Sequence, residues 1–140
     1  MTKFATRAAA VAAAALLAAT LAGCSSSAAS LAVGECIAEP TTSDVASVER
    51  LDCTAAHDLE VYAVGNVEAA NFVELDKNAQ TFCLEAFQPY VGKAYEESEL
   101  GIQYFTPDAV GFGKGDRGVQ CLIGDSSGAQ LTASVKGSNR

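Results

Sequence analysis

Five cysteines and a single histidine are the side chains of this sequence whose types and spacing could do chemistry. Four of the cysteines lie far apart from one another: Cys36, Cys53, Cys83 and Cys121. A four-thiolate zinc site usually brings its cysteines in close pairs, which this spacing lacks. In an exported chain an even number of cysteines indicates disulfides, and three pairings are possible. We favour Cys36 with Cys53 and Cys83 with Cys121.

The histidine, His57, lies beside two acidic residues, Asp58 and Glu60, and such a group could bind a metal or do acid–base chemistry. If the stretch is a strand, alternation places His57 on the face opposite both carboxylates. We therefore expect a structural imidazole, hydrogen-bonded near the corner at Cys53. The sequence predicts no catalytic residue, no metal and no cofactor.

Two further motifs are weak signals of ligand binding. Residues 113–118 satisfy G-x-G-x-x-G, but a dinucleotide fingerprint should follow a strand and open a helix, whereas alternating residues follow here. We expect a turn in which Asp116 and Arg117 form a local ion pair or a surface contact. The acidic run over 96–99 lacks the spaced oxygen ligands of a calcium loop and is expected to be solvated.

The first 23 residues predict a secretory signal, because Lys3 and Arg7 precede an apolar run over 8–21 without any acidic residue. The run is too short and too rich in alanine for a permanent membrane span. Leu21-Ala22-Gly23 before Cys24 resembles the bacterial lipobox, which implies that Cys24 carries a thioether-linked diacylglycerol. Two acyl chains anchor a protein stably. We expect the mature chain at the extracytoplasmic face of the cell membrane, anchored by lipid.

The mature chain is expected to be strongly acidic. The sequence has nine Lys and Arg and seventeen Asp and Glu, and the signal removes Lys3 and Arg7 and no acid, which leaves seven against seventeen, a balance of −10. Nucleic acid and anionic lipid headgroups would be repelled by this charge. Residues 24–32 are small and without apolar periodicity, so they predict a tether that keeps the domain close to the membrane.

Sequence periodicity predicts strands and one helix. The clearest strand runs from His57 to Val64, with an apolar buried face and a face exposed to water that carries Asp58, Glu60 and Tyr62. From about Glu74 apolar residues recur at three and four positions, and Pro89 should end or kink this helix.

Shorter segments complete the predicted pattern. Runs over 33–37 and 45–53 are strand-like, and 102–105 fits helix or strand equally well. Residues 117–123 and 131–135 alternate on either side of a turn and predict a hairpin.

The predicted fold is therefore α+β, a mostly antiparallel sheet with one amphipathic helix packed on it and two disulfides. The predicted organisation is a lipoprotein signal peptide over 1–23, a tether over 24–32, a domain over 33–136 and a frayed tail over 137–140.

Motifs at the four cysteines suggest a family. They are Gly34-Glu35-Cys36, Leu51-Asp52-Cys53-Thr54 followed by His57 to Val61, a helical Cys83, and Gly115 to Leu122. In this order they resemble the septum-formation domain of actinobacterial envelope proteins over about residues 33–124. Phe112 stands where the family pattern often has Trp, which suggests repacking. The resemblance implies a link to cell division or envelope assembly.

The functional hypothesis is a binding or scaffolding module that is not an enzyme, contacts another envelope protein and does not bind nucleic acid. The candidate interaction residues are Asp58, Glu60, Tyr62, Tyr104, Phe105, Asp116 and Arg117. The alternative is a hydrolase or redox enzyme of the envelope that uses His57.

Lipidation is directly testable. Cells fed radiolabelled palmitate should yield labelled mature protein, because Cys24 is the expected acceptor of the diacylglycerol. A mature protein without label would contradict the lipoprotein assignment.

Overall fold

The computed structural model describes residues 30–41 and 47–140. The predicted signal peptide, Cys24 and most of the predicted tether lie outside these residues, as does part of the strand-like run over 45–53. The described residues form a five-stranded antiparallel sheet with one long helix, so the predicted α+β class is confirmed.

The sheet contains strands β1 to β5 in the spatial order β2-β1-β3-β5-β4. Their bounds are β1 Cys36–Ile37, β2 Arg50–Leu51, β3 Leu59–Asn66, β4 Leu100–Phe105 and β5 Gly118–Asp125. The run over 102–105, which fitted helix or strand, belongs to β4 at the edge of the sheet. The two longest pairings are β3–β5 and β4–β5, so β5 is paired along its length on both sides.

The central strand β3 is buried on both sides, which contradicts the prediction of one face exposed to water. Leu59 and Val61 pack with Leu31 and Ile37 on one side of the sheet, while Tyr62 packs under the helix on the other. The alternation of polar and apolar residues cannot show that this second face is covered. It depends on residue polarity and not on the distant segments that pack on the strand. Glu60 and Tyr62 are therefore core residues and not interaction residues.

The long helix, α1, spans Phe72–Val91. Its N-cap is Asn71, whose side-chain oxygen accepts the amide hydrogen of Glu74. The helix passes through Pro89 and ends at Gly92, where φ is 90°. Pro89 was expected to end or kink the helix, and the helix instead continues for two residues beyond it, to Val91. Buried Tyr90 and Val91 stabilise this end, which has lost one backbone hydrogen bond.

Two shorter elements follow α1. A 3-10 turn covers Tyr95–Glu97, and a one-turn helix, α2, covers Ala109–Gly113. Tyr95 packs edge-on against buried Phe87 of α1, with ring centroids 5.2 Å apart. The acidic run over 96–99 therefore begins at a turn fixed by aromatic packing.

Both predicted disulfides are confirmed. Cys36 of β1 is bonded to Cys53 in the turn after β2, with Cα atoms 5.3 Å apart. Cys83 of α1 is bonded to Cys121 of β5, with Cα atoms 5.5 Å apart. The second disulfide joins the helix to β5, which lies between β3 and β4, while the first joins β1 to the turn after β2.

The predicted C-terminal hairpin is wrong. After β5 the chain crosses towards the start of β3, where Leu131 forms an isolated bridge with His57. Leu131 and Val135 are buried in the cluster beneath α1, but Ala133 is exposed. The alternating apolar residues did indicate burial. They belong, however, to a segment that packs against the core and does not form a strand of the sheet.

Both ends of the domain are more ordered than the sequence suggested. The predicted frayed tail is held by backbone bonds from Gly137 to Tyr90 and from Asn139 to Val91, while Arg140 pairs with Glu99 and Asp125. At the other end Leu31 is buried and its amide donates to Gln120 Oε1. The folded domain thus includes residues 30–32 and 137–140.

Truncation of Leu131 tests the packing of the C-terminal segment. Leu131 is 1% exposed, so Leu131→Ala should lower the free energy of unfolding by about 2–5 kcal/mol in urea denaturation. The matched control is Leu84→Ala, a helix residue that is 39% exposed, with an expected change of about 0.5 kcal/mol or less. Equal effects of the two variants would contradict the placement of this segment.

Candidate functional site

A buried polar cluster lies between β3, α1 and the C-terminal segment. Its centre is Glu60, which is fully buried. Oε1 of Glu60 accepts the hydroxyl hydrogens of Tyr90 and Ser134, both at 2.6 Å, and Oε2 accepts the amide hydrogen of Val135 at 2.8 Å. A carboxylate that only accepts hydrogen bonds is matched by these three donors.

Tyr90 remains a hydrogen donor in this cluster. Burial, together with the neighbouring carboxylate of Glu60, raises the pKa of Tyr90 well above its usual range. The same effect of burial raises the pKa of Tyr62, whose hydroxyl donates to the carbonyl oxygen of Cys83 at 2.7 Å. Both tyrosines therefore stay neutral and link α1 to β3.

His57 lies beside this cluster and is fully buried. Its Nδ1 is 2.8 Å from the carbonyl oxygen of Ala55, so Nδ1 must carry the hydrogen. Its Nε2 is buried with no hydrogen-bond partner in the described part of the protein. The structure therefore places His57 near the Cys53 turn, hydrogen-bonded as expected, but with one ring nitrogen left free.

The expectation that His57 is separated from Glu60 by strand alternation is wrong. Strand β3 begins only at Leu59, so the alternation does not extend back to His57. Cys36 is the register partner of Glu60 across β1 and β3. Atoms of Cys36, His57 and Glu60 that could bind a metal lie within 4.8 Å of one another.

A surface groove of about 390 Å³ includes the candidate residue Asp58 in its lining. It crosses the start of β4 and the end of β5 and is lined by Glu39, Asp58, Leu59, Tyr95, Gly101, Ile102, Gln103, Gly124, Asp125, Ser126, Gly128 and Ala129. Glycines pair across its floor, where Gly101 is opposite Gly124. Gly124 leaves room for the carbonyl oxygen of Asp58 and the side chain of Leu59, each 3.0 Å from the position that a Cβ atom would take.

The groove is acidic. The amide of Glu39 and the side chain of Gln130 donate to Asp58 and hold the pKa of its carboxyl below the usual range. Hydrogen bonds from Ser127 lower the pKa of Asp125 in the same way. Among the described residues Asp125 pairs with Arg140, whereas Glu39 and Asp58 form no ion pair with lysine or arginine. The groove thus carries negative charge at neutral pH.

Two other predicted interaction residues, Tyr104 and Phe105, lie on β4 and are half-buried. Tyr104 packs under α1 and donates to Asp76 at 2.9 Å, while Phe105 packs against the cluster on the opposite side of the sheet. They lie on the same strand as the groove residue Gln103, which is exposed.

Asp116 and Arg117 were expected to form a local ion pair or a surface contact in a turn, and the ion pair is not among those of the described residues. The guanidinium of Arg117 donates to the carbonyl oxygens of Phe112, Asp116 and Ala69 and lies 3.5 Å from the centre of the Phe112 ring. The carboxylate of Asp116 instead accepts the amide hydrogen of Gly118. These residues fix the turn between α2 and β5.

The groove and the Glu60 cluster were not found from the sequence. The groove joins residues that are distant in the chain, such as Glu39 and Asp125, and no local pattern signals that meeting. Tyr90 and Ser134 carried no signal of their own. Tyr62 was the one signal that this face of β3 is covered, because it is an aromatic residue on a face predicted to be exposed to water.

Within residues 30–41 and 47–140 no helix combines the length and apolar character needed to cross a membrane. The observed architecture defines a small α+β domain stabilised by two disulfides. Residues 33–140 match the family model described as septum formation, so the chain belongs to the septum-formation family. Membership indicates a role in cell division or in the envelope. No curated protein and no solved structure matches the chain.

The Glu60 cluster predicts unequal effects of two tyrosine changes. Tyr90→Phe removes a buried donor to Glu60 and should lower the free energy of unfolding by about 1.5–3 kcal/mol. Tyr104→Phe removes a more exposed bond to Asp76 and should cost less than about 1 kcal/mol. Denaturant melts at neutral pH measure both, and a larger loss for Tyr104→Phe would contradict the cluster.

Proposed function

We propose that this protein is a lipid-anchored binding module of the septum-formation family that holds an extended, basic segment of another envelope protein. The observation that carries the proposal is the acidic groove that crosses the end of β5 and the start of the edge strand β4. Its occupant is proposed to be a peptide segment rich in lysine or arginine, because charge and shape both fit such a ligand.

The position of β4 supports an extended ligand. This strand is bonded to β5 on one side only and forms the edge of the sheet in the described residues. An edge strand offers unpaired backbone groups to which an extended segment can add as a further strand. Exposed Gln103 lies on β4 and lines the groove, so one ligand could contact both features.

The charge of the groove supports a basic ligand. Glu39 and Asp58 lack a partnered lysine or arginine in the described residues, and Asp58 is held in its charged form by hydrogen bonds. Complementary charge speeds association and selects partners more than it adds affinity. The strongly acidic mature chain extends the same preference over a longer range.

The lipid anchor gives this module its position. Arg50 donates to the carbonyl oxygen of Ser30, which fixes the chain there. If Cys24 is lipidated, the six residues from Cys24 to Ala29 separate the anchor from this point, a span of about 20 Å at most. The domain would therefore meet partners close to the outer surface of the membrane.

The alternative of an enzyme that uses His57 has less support. The imidazole is fully buried, so it lies out of reach of a substrate on the surface. The four cysteines of the domain are bonded in pairs, which leaves no thiolate nucleophile among them. A binding role requires neither group to react.

Site-specific photocrosslinking in cells tests the proposal. A photoreactive residue at exposed Gln103 should capture septal or wall-synthesis proteins through a stretch rich in lysine or arginine, mapped by mass spectrometry. The same residue at Thr81, on the exposed side of α1, is the positional control. Capture of the same proteins with equal yield from Thr81 would contradict the groove as the binding site.

Charge reversal sharpens the test. Glu39→Lys should lower the yield from Gln103 roughly 10-fold, whereas Glu68→Lys, an exposed acid outside the groove, should leave it unchanged. Equal yields from the two variants would exclude electrostatic recognition by the groove.

A further inference from the structure

His57 has the arrangement of a metal-binding histidine. Its Nδ1–H donates to the carbonyl oxygen of Ala55 at 2.8 Å, so the lone pair of the neutral ring lies on Nε2. Such a bond from the other ring nitrogen usually orients histidines that bind metals. Nε2 is fully buried and has no partner in the described residues, although a buried polar atom normally has one.

Other potential ligands lie close to the imidazole of His57. Metal-binding atoms of Cys36, His57 and Glu60 all lie within 4.8 Å of one another. Neighbouring ligands of a tetrahedral zinc ion are about 3.5 Å apart, as follows from bond lengths of about 2.0–2.3 Å. Shifts of about 1 Å would therefore bring the three groups onto one ion. The sulfur of Cys53 is bonded to that of Cys36 and is the fourth candidate.

The oxidised site offers no thiolate to a zinc ion, because Cys36 and Cys53 are bonded to each other. A disulfide sulfur is neutral, whereas the thiolate is the form of cysteine that binds metals. Reduction would supply two thiolates beside one imidazole and one carboxylate. Zinc is commonly bound by four ligands of these three types.

The Cys36–Cys53 disulfide is the more accessible of the two. Cys53 is partly exposed in the turn after β2, while both Cys83 and Cys121 are fully buried. Thiol–disulfide exchange requires the attacking thiolate to reach a sulfur atom. A small dithiol should therefore reduce Cys36–Cys53 before Cys83–Cys121.

We propose that reduction of the Cys36–Cys53 disulfide converts this corner of the domain into a zinc site formed by Cys36, Cys53, His57 and Glu60. A dithiol reductant gives two electrons and two protons to the disulfide, which becomes two thiols, and the reductant becomes a cyclic disulfide. Zinc then replaces the two thiol protons, which are released to solvent.

The surroundings of Glu60 favour such a site. Tyr90, Ser134 and Val135 hold its carboxylate with three hydrogen bonds, as outer groups of metal sites commonly do. Glu60 has no lysine or arginine partner among the described residues, so a cation would compensate a buried negative charge.

Alkylation mapping of the full-length wild-type chain tests the proposal without any variant. The chain is reduced under native conditions, treated with zinc and exposed to an alkylating reagent, and each cysteine is followed by mass spectrometry. Zinc should slow alkylation of Cys36 and Cys53 at least 10-fold and leave Cys83 and Cys121 unaffected. Absence of protection, or equal protection of all four cysteines, would overturn the proposal.

Cobalt binding tests which residues coordinate the metal. The reduced chain should bind one Co²⁺, displaceable by zinc, with the visible absorption of tetrahedral cobalt–thiolate coordination, and the oxidised chain should not. His57→Gln and Glu60→Gln should weaken binding about 10–100-fold, while Glu68→Gln, a change of an exposed acid outside the site, should not. Circular dichroism checks that each variant is folded. Equal cobalt binding by the oxidised chain, or by the folded His57→Gln variant, would contradict the site.

Discussion

The fold depends on the need to satisfy one buried carboxyl group. Removing an unpaired charge from water costs several kcal/mol, so Glu60 can be buried only where hydrogen donors converge on it. The donors come from α1 through Tyr90 and from the C-terminal segment through Ser134 and Val135. The helix, the central strand and the end of the chain are thereby required to meet at one point. The Cys83–Cys121 disulfide joins the same helix to the sheet.

The hydrogen bonds to Glu60 also affect the groove at the surface. The C-terminal segment that Glu60 holds also forms a bridge with His57 and supplies Gly128 and Ala129 to the wall of the groove. Gln130 from that segment donates to Asp58 and helps to keep it charged. The acidic character of the groove and the stability of the core therefore rest on connected hydrogen bonds. A change that releases the C-terminal segment should disturb both.

Features that depend on neighbours in sequence could be predicted, whereas features that depend on distant segments could not. The helix and the central strands follow from local periodicity. The sequence allows three cysteine pairings, and the choice among them rested on the elements that the cysteines would join. Glu60 looked exposed because a charged residue in an alternating strand normally faces water. The hairpin failed because Leu131 and Val135 are apolar at strand spacing but pack beneath α1. Neither the groove nor the unpaired nitrogen of His57 can be inferred from the sequence, because both depend on segments that meet only in the folded chain.

The central functional claim is that the groove beside β4 binds an extended basic segment. Amide chemical-shift mapping by NMR tests it most directly, with a short lysine-rich peptide added to the isotope-labelled protein. The account predicts that the shifts concentrate at Gly101 to Gln103 and at Gly124 to Ser126, which line the groove. Shifts confined to the exposed face of α1, or no shifts at all, would contradict it.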